Sequence, residues 1–204
     1  MKTDIKVIIF DIGSVCTDAD WLKINEEMMK KFKISTLVRS SGSPELNKLY
    51  DETMTGKRDI LDYFEKIADG KHDAKEVADF YKESYKRNRI VNKELLKKIE
   101  KLKKRFIIAC LTDTQRIHFE AHEEQGILNS FAHKFASHQI GGVKTDKNTF
   151  LKVLKHLDIK PKEAIFIDDR EKNIKNAKEL GIKTILFKNN KQLITDLHKL
   201  GIKV

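Results

Sequence analysis

Lys6-Val7-Ile8-Ile9-Phe10-Asp11-Ile12-Gly13-Ser14-Val15 reads as a short strand that runs into a tight turn. Its apolar run has no polar alternation, the pattern of a strand covered on both faces. The run stops at a lone carboxylate, Asp11, and Gly13 follows in the turn. In an open parallel sheet, ligands bind at the carboxyl ends of the strands. Asp11 is therefore either a strand-end turn residue or a reacting group, and burying an unpaired carboxylate without a task is costly.

Working outward, the C-terminal half alternates helix and strand. Phe106–Leu111 is a second buried strand ending at Thr112-Asp113, Lys134–Ser137 a weaker third, Ala164–Ile167 a fourth ending at Asp168-Asp169, and Thr184–Phe187 a fifth. Helices stand between them, on Leu95/Leu96/Ile99/Leu102, Gln115–Gln125, Phe150/Leu151/Leu154/Leu157 and Ile174/Ala177/Leu180, the last stopped by Gly181. The alternation predicts right-handed crossovers and a parallel α/β sheet. Between the first and second strands the period is helical instead. Trp21–Phe32, a segment capped at Ser43-Pro44 after the breaker Ser41-Gly42, Ile60–Ile67 and Val77–Tyr85 give four short helices, a small bundle. Residues 20–89 thus form an insert that emerges beside Asp11, placed to act as a lid, while residues 1–19 and 90–204 make the core. At helical spacing, Trp21, Met28, Met29, Phe64 and Tyr81 read as bundle core rather than as pocket lining.

The composition excludes several classes. No apolar run approaches the roughly 18 residues of a membrane span. Met1-Lys2-Thr3-Asp4 leads straight into the first strand, so a cytoplasmic protein is expected. Cys16 and Cys110 lack metal-ligand spacing and read as reduced core residues. The formal charge of +10 comes from 41 Lys+Arg against 31 Asp+Glu, which raises nucleic acid as a partner. The basic residues are interleaved with Glu along amphipathic helices, so a solvated lysine coat is the reading adopted. His118 and His122 lie four apart on a helix, but Glu120, Glu123 and Glu124 mark that helix as an exposed face and no further ligands accompany them.

Parallel strands bring Asp11, Thr112-Asp113 and Asp168-Asp169 to one sheet edge, with Lys144 supplied by a loop. Carboxylates gathered there repel unless a cation neutralises them, and an all-oxygen set favours Mg²⁺ over zinc. An ionised carboxylate beside such a cation can attack phosphorus and form an aspartyl phosphate. Thr112 can hydrogen-bond a phosphoryl oxygen, Lys144 can neutralise charge, and the turn amides after Asp11 can form an anion nest. Asp113 either faces this site or caps a helix.

At these residues the chain resembles the haloacid dehalogenase superfamily. Phe10-Asp11-Ile12-Gly13-Ser14-Val15 resembles its first motif, Leu111-Thr112-Asp113 its second, Lys144 its third and Ile167-Asp168-Asp169-Arg170-Glu171-Lys172-Asn173 its fourth, in family order. The resemblance implies a Rossmann-like doubly wound sheet of order 5-4-1-2-3 with an α-helical cap between the first and second motifs. It implies that Asp11 is the nucleophile, that Gly13 (through its carbonyl), Asp169 and Asp168 serve the metal with Asp11, that Ser14, Thr112, Asp113 and Lys144 surround the phosphate, and that Asn173 orients the loop. A Mg²⁺-dependent phosphatase acting on a small phosphorylated metabolite, such as a sugar phosphate, is the implied function.

Three positions depart from the usual pattern. Gly13 stands where most phosphatases of the superfamily carry a second Asp that protonates the leaving group, a group worth ~10²–10⁴ in rate. Asp113 replaces the usual Asn, and Thr145 the Pro that often follows the third-motif Lys. An Asp-x-Gly arrangement occurs in the branch resembling α-glucose-1-phosphate phosphatase, which this chain also resembles at Asp18, Asp20, Gly56 and Thr112–Gln115. The alternative is a phosphoryl-ligand-binding homologue with weak or no turnover. Carbon–halogen cleavage needs no metal and leaves the Asp168-Asp169 pair without a role.

Overall fold

The computed structural model describes residues 4–37 and 43–203; Met1-Lys2-Thr3 and the Ser41-Gly42 breaker lie outside them. The five-stranded sheet is wholly parallel and contains β1 (Val7–Phe10), β4 (Ile107–Thr112), β5 (His133–Ala136), β6 (Ala164–Asp168) and β7 (Lys183–Leu186), in the spatial order β5-β4-β1-β6-β7. Numbered along the chain, the five strands stand 5-4-1-2-3, as expected.

β1 lies at the centre because it is apolar on both faces. Ile8 and Phe10 join Leu95 and Ile99 of α5 (Lys93–Leu102) and Leu193 and Leu197 of α10 (Asn190–Lys199). Val7 and Ile9 join Phe150 and Val153 of α8 (Lys147–His156) and Ala177 of α9 (Glu171–Glu179) on the other side. All four β1 residues are fully buried. Just beyond, the amides of Cys16 and Thr17 both donate to the Ile12 carbonyl, at 2.9 Å each. That closes the turn, with Ser14 in the left-handed region at φ 55°.

Two three-residue strands escaped the sequence pattern. β2 (Thr17–Ala19) pairs antiparallel with β3 (Arg89–Val91), placing Asp18 opposite Ile90. They tie together the two chain segments leading into and out of the helical insert. Asp18 accepts its neighbour Ala19 N–H at 2.8 Å, and Asp20 caps the first insert helix through Lys23 N–H at 3.0 Å.

The insert contains α1 (Trp21–Phe32), α2 (Pro44–Met54), α3 (Ile60–Ala68) and α4 (Ala74–Arg87). Each of the four begins at a side-chain cap, Asp20, Ser43, Asp59 and Asp73, which satisfies an otherwise orphaned amide. Ile24, Met28, Phe64, Val77 and Tyr81 form their shared core, and Ile117 and Ala121 of α6 (Arg116–Glu124) complete it. The insert therefore packs its apolar centre against a helix of the sheet domain.

That packing corrects two expectations. His118 and His122 are buried, not on an exposed face. Tyr81 and Tyr85 of α4 meet them at 2.8 and 3.2 Å, while Lys82 and Lys86 bond Glu120 and Glu124 along the rim at 3.1 and 3.0 Å. Glu120 and Glu124, though partly open to water, have lysine partners on the neighbouring helix. Met29 is 40% exposed because the inward stripe of α1 runs through Ile24, Met28 and Phe32, and Trp21, which opens that stripe, is still 45% exposed. Met28, Phe64 and Tyr81 are buried as read.

A second contact lies at the end of α2. Gln115 donates to the Thr53 hydroxyl at 2.7 Å, and the Ser137 hydroxyl to the Met54 carbonyl at 2.6 Å. Gly56, at φ +69°, passes so near the backbone that a Cβ there would sit 2.0 Å from the His138 carbonyl oxygen.

The buried imidazoles make this docking sensitive to acid. Burial, reinforced by Arg89, depresses His118 to about 3 and His122 to about 2. Arg89 can only donate, so its contact with Nδ1 fixes a neutral His122 that offers Nε2–H to Tyr85. In the unfolded chain both titrate near 6.5, so protons bind the unfolded state more tightly and stability falls as pH drops below that value. The two imidazoles are expected to contribute about 2–3 kcal/mol to the change in urea stability between pH 7.5 and 5.5, read as the native profile minus that of a His118→Gln/His122→Gln variant, in which the other titrating groups act alike. Profiles with the same pH dependence in the two proteins would contradict the docking geometry.

Candidate active site

Each polar group expected at the sheet edge is delivered by the end of a different element. Asp11 follows β1, Thr112 ends β4, Asp168 ends β6, and Asn173 lies in the first turns of α9. Lys144 stands in the loop beyond the four-residue helix α7 (Ser137–Ile140). Its ammonium lies 2.6 Å from Asp11 Oδ2 and 2.7 Å from Asp168 Oδ2, with all three side chains buried. Lys147, the other lysine of that region, pairs with Glu179 at the surface and takes no part.

Backbone contacts hold Lys144 in place. Its amide donates to Asp113 Oδ1 at 2.9 Å, while Asn176 donates to the carbonyls of Lys144 and Thr145 at 3.2 and 2.9 Å. Asp113 serves the loop that carries Lys144, whereas α6 has Gln115 at its N-cap and no side-chain cap there. The Asn176 amide fixes the Thr145 carbonyl, so the turn is held without a proline. Asn176 was missed in the sequence, although it stands three residues after Asn173 and so shares its helix face.

Asp168 is held from several sides. Besides Lys144, its oxygens accept the Arg170 amide at 2.8 Å and the Asn173 side-chain amide at 3.1 Å to each oxygen. Asp11 accepts the Ile12 amide at 2.7 Å through Oδ1, and the Cys16 thiol donates to its carbonyl at 3.3 Å. Burial pushes the Asp11 carboxyl up to about 7; Lys144 and the Ile12 amide pull it back, and Asp168 adds to the rise. Burial works against the charge of Lys144, yet Asp11, Asp168 and Asp113 outweigh it and hold its pKa above the ordinary lysine value. Burial also raises Asp169, with the neighbouring Asp168 charge acting in the same direction.

One carboxylate oxygen each from Asp11, Asp168 and Asp169 lies within 4.8 Å of the other two. Three hard oxygen donors at that spacing, around a single ammonium, fit a small divalent cation such as Mg²⁺. The buried Asn173 Oδ1 has no hydrogen-bond partner beside them. Gly13 and Ser14 lie exposed in the turn after Asp11, and Thr112 is buried at the end of its strand. The arrangement juxtaposes a buried carboxylate, a fixed cationic side chain and a set of metal-binding oxygens. No helix among the described residues is long and apolar enough to cross a membrane.

The chain belongs to the haloacid dehalogenase-like hydrolases, whose family profile matches residues 5–181. Flavin mononucleotide hydrolase 1 of Arabidopsis thaliana is 43% identical over 70 residues, a stretch that spans 34% of this chain and 29% of that protein. Glyceraldehyde 3-phosphate phosphatase of Pyrococcus furiosus is 27% identical over 206 residues, covering 95% of this chain and 85% of the relative. A haloacid dehalogenase family enzyme of Bacteroides thetaiotaomicron, solved with magnesium and inorganic phosphate, superposes with a TM-score of 0.76 at 22% identity, over 90% of this chain and 94% of that one. That likeness establishes the shared fold.

Removing one member of a buried charge cluster leaves the others uncompensated, a loss of about 3–5 kcal/mol. Lys144→Met is expected to lower stability by that amount in urea unfolding at neutral pH. Lys144→Met combined with Asp11→Asn is expected to recover part of it. A loss under about 1 kcal/mol for the single change would mean that the ammonium is not buried between the carboxylates.

Proposed function

We propose that this hydrolase is a Mg²⁺-dependent phosphatase of a small phosphomonoester, a sugar phosphate or similar metabolite, acting through an aspartyl phosphate on Asp11. The observation that carries the reading is the Lys144 ammonium bridging Asp11 and Asp168, with Asp169 beside them. The phosphatase named in Pyrococcus and the flavin mononucleotide hydrolase named in Arabidopsis support a phosphoester substrate.

Asp11, Asp169 and the Gly13 carbonyl would hold the cation, with Asp168 a ligand or a partner behind them. Bound Mg²⁺ supplies charge neutralisation, which keeps Asp11 ionised and lets an anionic phosphoryl group approach. Asp11 then attacks phosphorus, the bond to the alcohol oxygen breaks, and the phosphoryl group is carried on the carboxylate. Lys144 holds Asp11 in line, and its positive charge offsets that of the incoming group. The Thr112 hydroxyl and the amide of Ser14 would hold phosphoryl oxygens, and Asn173, which bonds both oxygens of Asp168, would steady that carboxylate. Hydrolysis of the aspartyl phosphate by water releases inorganic phosphate and restores Asp11. Residues 20–89 act as a cap over the core of residues 1–19 and 90–204, excluding water during attack and choosing the alcohol.

Gly13 bears on how well this runs. With no acid at that position, the departing oxygen takes its proton from water, so good leaving groups such as anomeric or acyl phosphates are favoured. The same absence motivates the second reading, a phosphoryl-ligand binder that turns over slowly or not at all. Phosphate release from a sugar-phosphate panel with Mg²⁺ is expected for the native protein and is lost in Asp11→Asn. Activity that survives that substitution would overturn the mechanism, and binding without release across the panel would favour the second reading.

A Cβ built at Gly13 meets nothing within 4 Å, so a side chain fits there. Gly13→Asp is expected to raise kcat on alkyl phosphates by roughly tenfold or more, with a much smaller gain on acyl phosphates. Equal gains on both classes would show that leaving-group protonation is not what Gly13 limits.

A further inference from the structure

Along the sequence the lysines read as a solvated coat, but in the fold most of the excess charge lies on one face. Residues 92–105 and 187–204 together hold eleven Lys and Arg against three Asp and Glu, a net +8 of the chain's +10. The helical insert, residues 20–89, is close to balanced, with fifteen against fourteen.

The two basic segments contain α5 and α10, and the fold lays these helices side by side. Leu95 and Ile99 of α5 enter the same core as Leu193 and Leu197 of α10, over one face of the sheet. Where the helices begin, Asn190 and Asn92 exchange hydrogen bonds of 2.9 and 3.0 Å, and Asn190 also donates to Glu94 at 3.0 Å. Beyond their ends, the Arg105 guanidinium donates to the Lys203 carbonyl at 3.4 Å. Lys93, Lys97, Lys101 and Lys104 are all exposed along α5 and its closing turn. Steps of four, four and three residues put them in one row, about 16 Å long. The three acids of the two segments are already engaged, Glu94 with Lys98 at 3.6 Å, Glu100 with Lys103 at 3.3 Å and Asp196 with Lys199 at 2.7 Å. Among the described residues, the row therefore has no carboxylate partner.

Like charges gathered in this way attract a polyanion, and the rest of the surface selects which one. Neither helix contains Phe, Tyr or Trp, and no large apolar side chain is exposed on either. A lipid surface holds a protein firmly only when an apolar group inserts beside the charge. Protein interfaces are depleted in lysine, and single strands are gripped by stacking on aromatic rings. Double-stranded nucleic acid needs none of these, because its phosphates stand in regular rows outside the bases.

We propose that the surface made by α5 and α10 binds the phosphate backbone of double-stranded nucleic acid without reading its sequence. None of its lysines belongs to the group around Asp11, so the proposal does not depend on the phosphatase reading.

Fluorescence anisotropy with a labelled DNA duplex of about 20 base pairs tests it. The native protein is expected to bind with a Kd of about 10⁻⁴–10⁻⁶ M near physiological salt, whatever the base sequence. Roughly four or five phosphate contacts would weaken binding about 10²–10³-fold between about 50 and 200 mM salt. Lys97→Glu/Lys101→Glu is expected to cost at least about tenfold in affinity and to flatten the log–log salt slope by about two. Lys23→Glu/Lys30→Glu makes the same change of net charge on α1 of the insert. It is expected to cost less than about threefold, because salt screens distant charge. All four lysines are exposed, so both variants are expected to keep the native circular dichroism. Absence of saturable binding at low salt, or equal losses in the two variants, would overturn the proposal. So would binding as tight to a single strand of the same length, or to phosphatidylserine-containing vesicles at matched anion concentration.

Discussion

Excess negative charge, buried at the carboxyl edge of the sheet, is the constraint on which the rest of this structure depends. Asp11, Asp168 and Asp169 converge around one ammonium, so the ionised group carries two uncompensated charges. Such a surplus is costly away from water; burial above all, and then the Asp168 charge, push the Asp11 carboxyl up to about 7 against the pull of Lys144. A divalent cation would match the surplus, and a phosphoryl group could then approach.

Holding these charges is what the surrounding elements do. Asp11 is fixed because β1 is buried between two sheet neighbours and two helical layers. Lys144 comes from an irregular loop, so its position depends on borrowed contacts: Asp113 on its amide and Asn176 on its carbonyl. Asp168 is locked by the Arg170 amide and Asn173. The helical insert is anchored independently, by tyrosine–histidine contacts along α4 and α6 and by the close passage of Gly56 over His138. These two sets of contacts meet at the loop leaving β4, where Gln115 reaches back to Thr53.

The sheet was legible because β1, β4 and β6 are short, largely apolar runs closed by a polar residue, and the helices between the strands leave few topologies open. The chemical groups were legible for a related reason: a carboxylate or hydroxyl just after a buried strand has nowhere to go but the sheet edge. β2 and β3 were not, since three-residue strands carry no period and their pairing joins residues some seventy positions apart. His118 and His122 were assigned to the wrong face because the glutamates around them look solvated. The lysines of α4 that bond those glutamates, and the tyrosines that cover the imidazoles, belong to a packing partner that local pattern does not show. Trp21 failed in the opposite sense, since it sits on an apolar stripe that ends before it is covered.

The most direct measurement is chemical trapping of residue 11. Borohydride reduces an acyl phosphate, so quenching the enzyme with it during turnover, with Mg²⁺ and a phosphomonoester present, converts a phosphorylated Asp11 to homoserine, which is read by peptide mass spectrometry. The account predicts that conversion at Asp11, dependent on both substrate and cation. Steady release of phosphate with Asp11 recovered unmodified would contradict it.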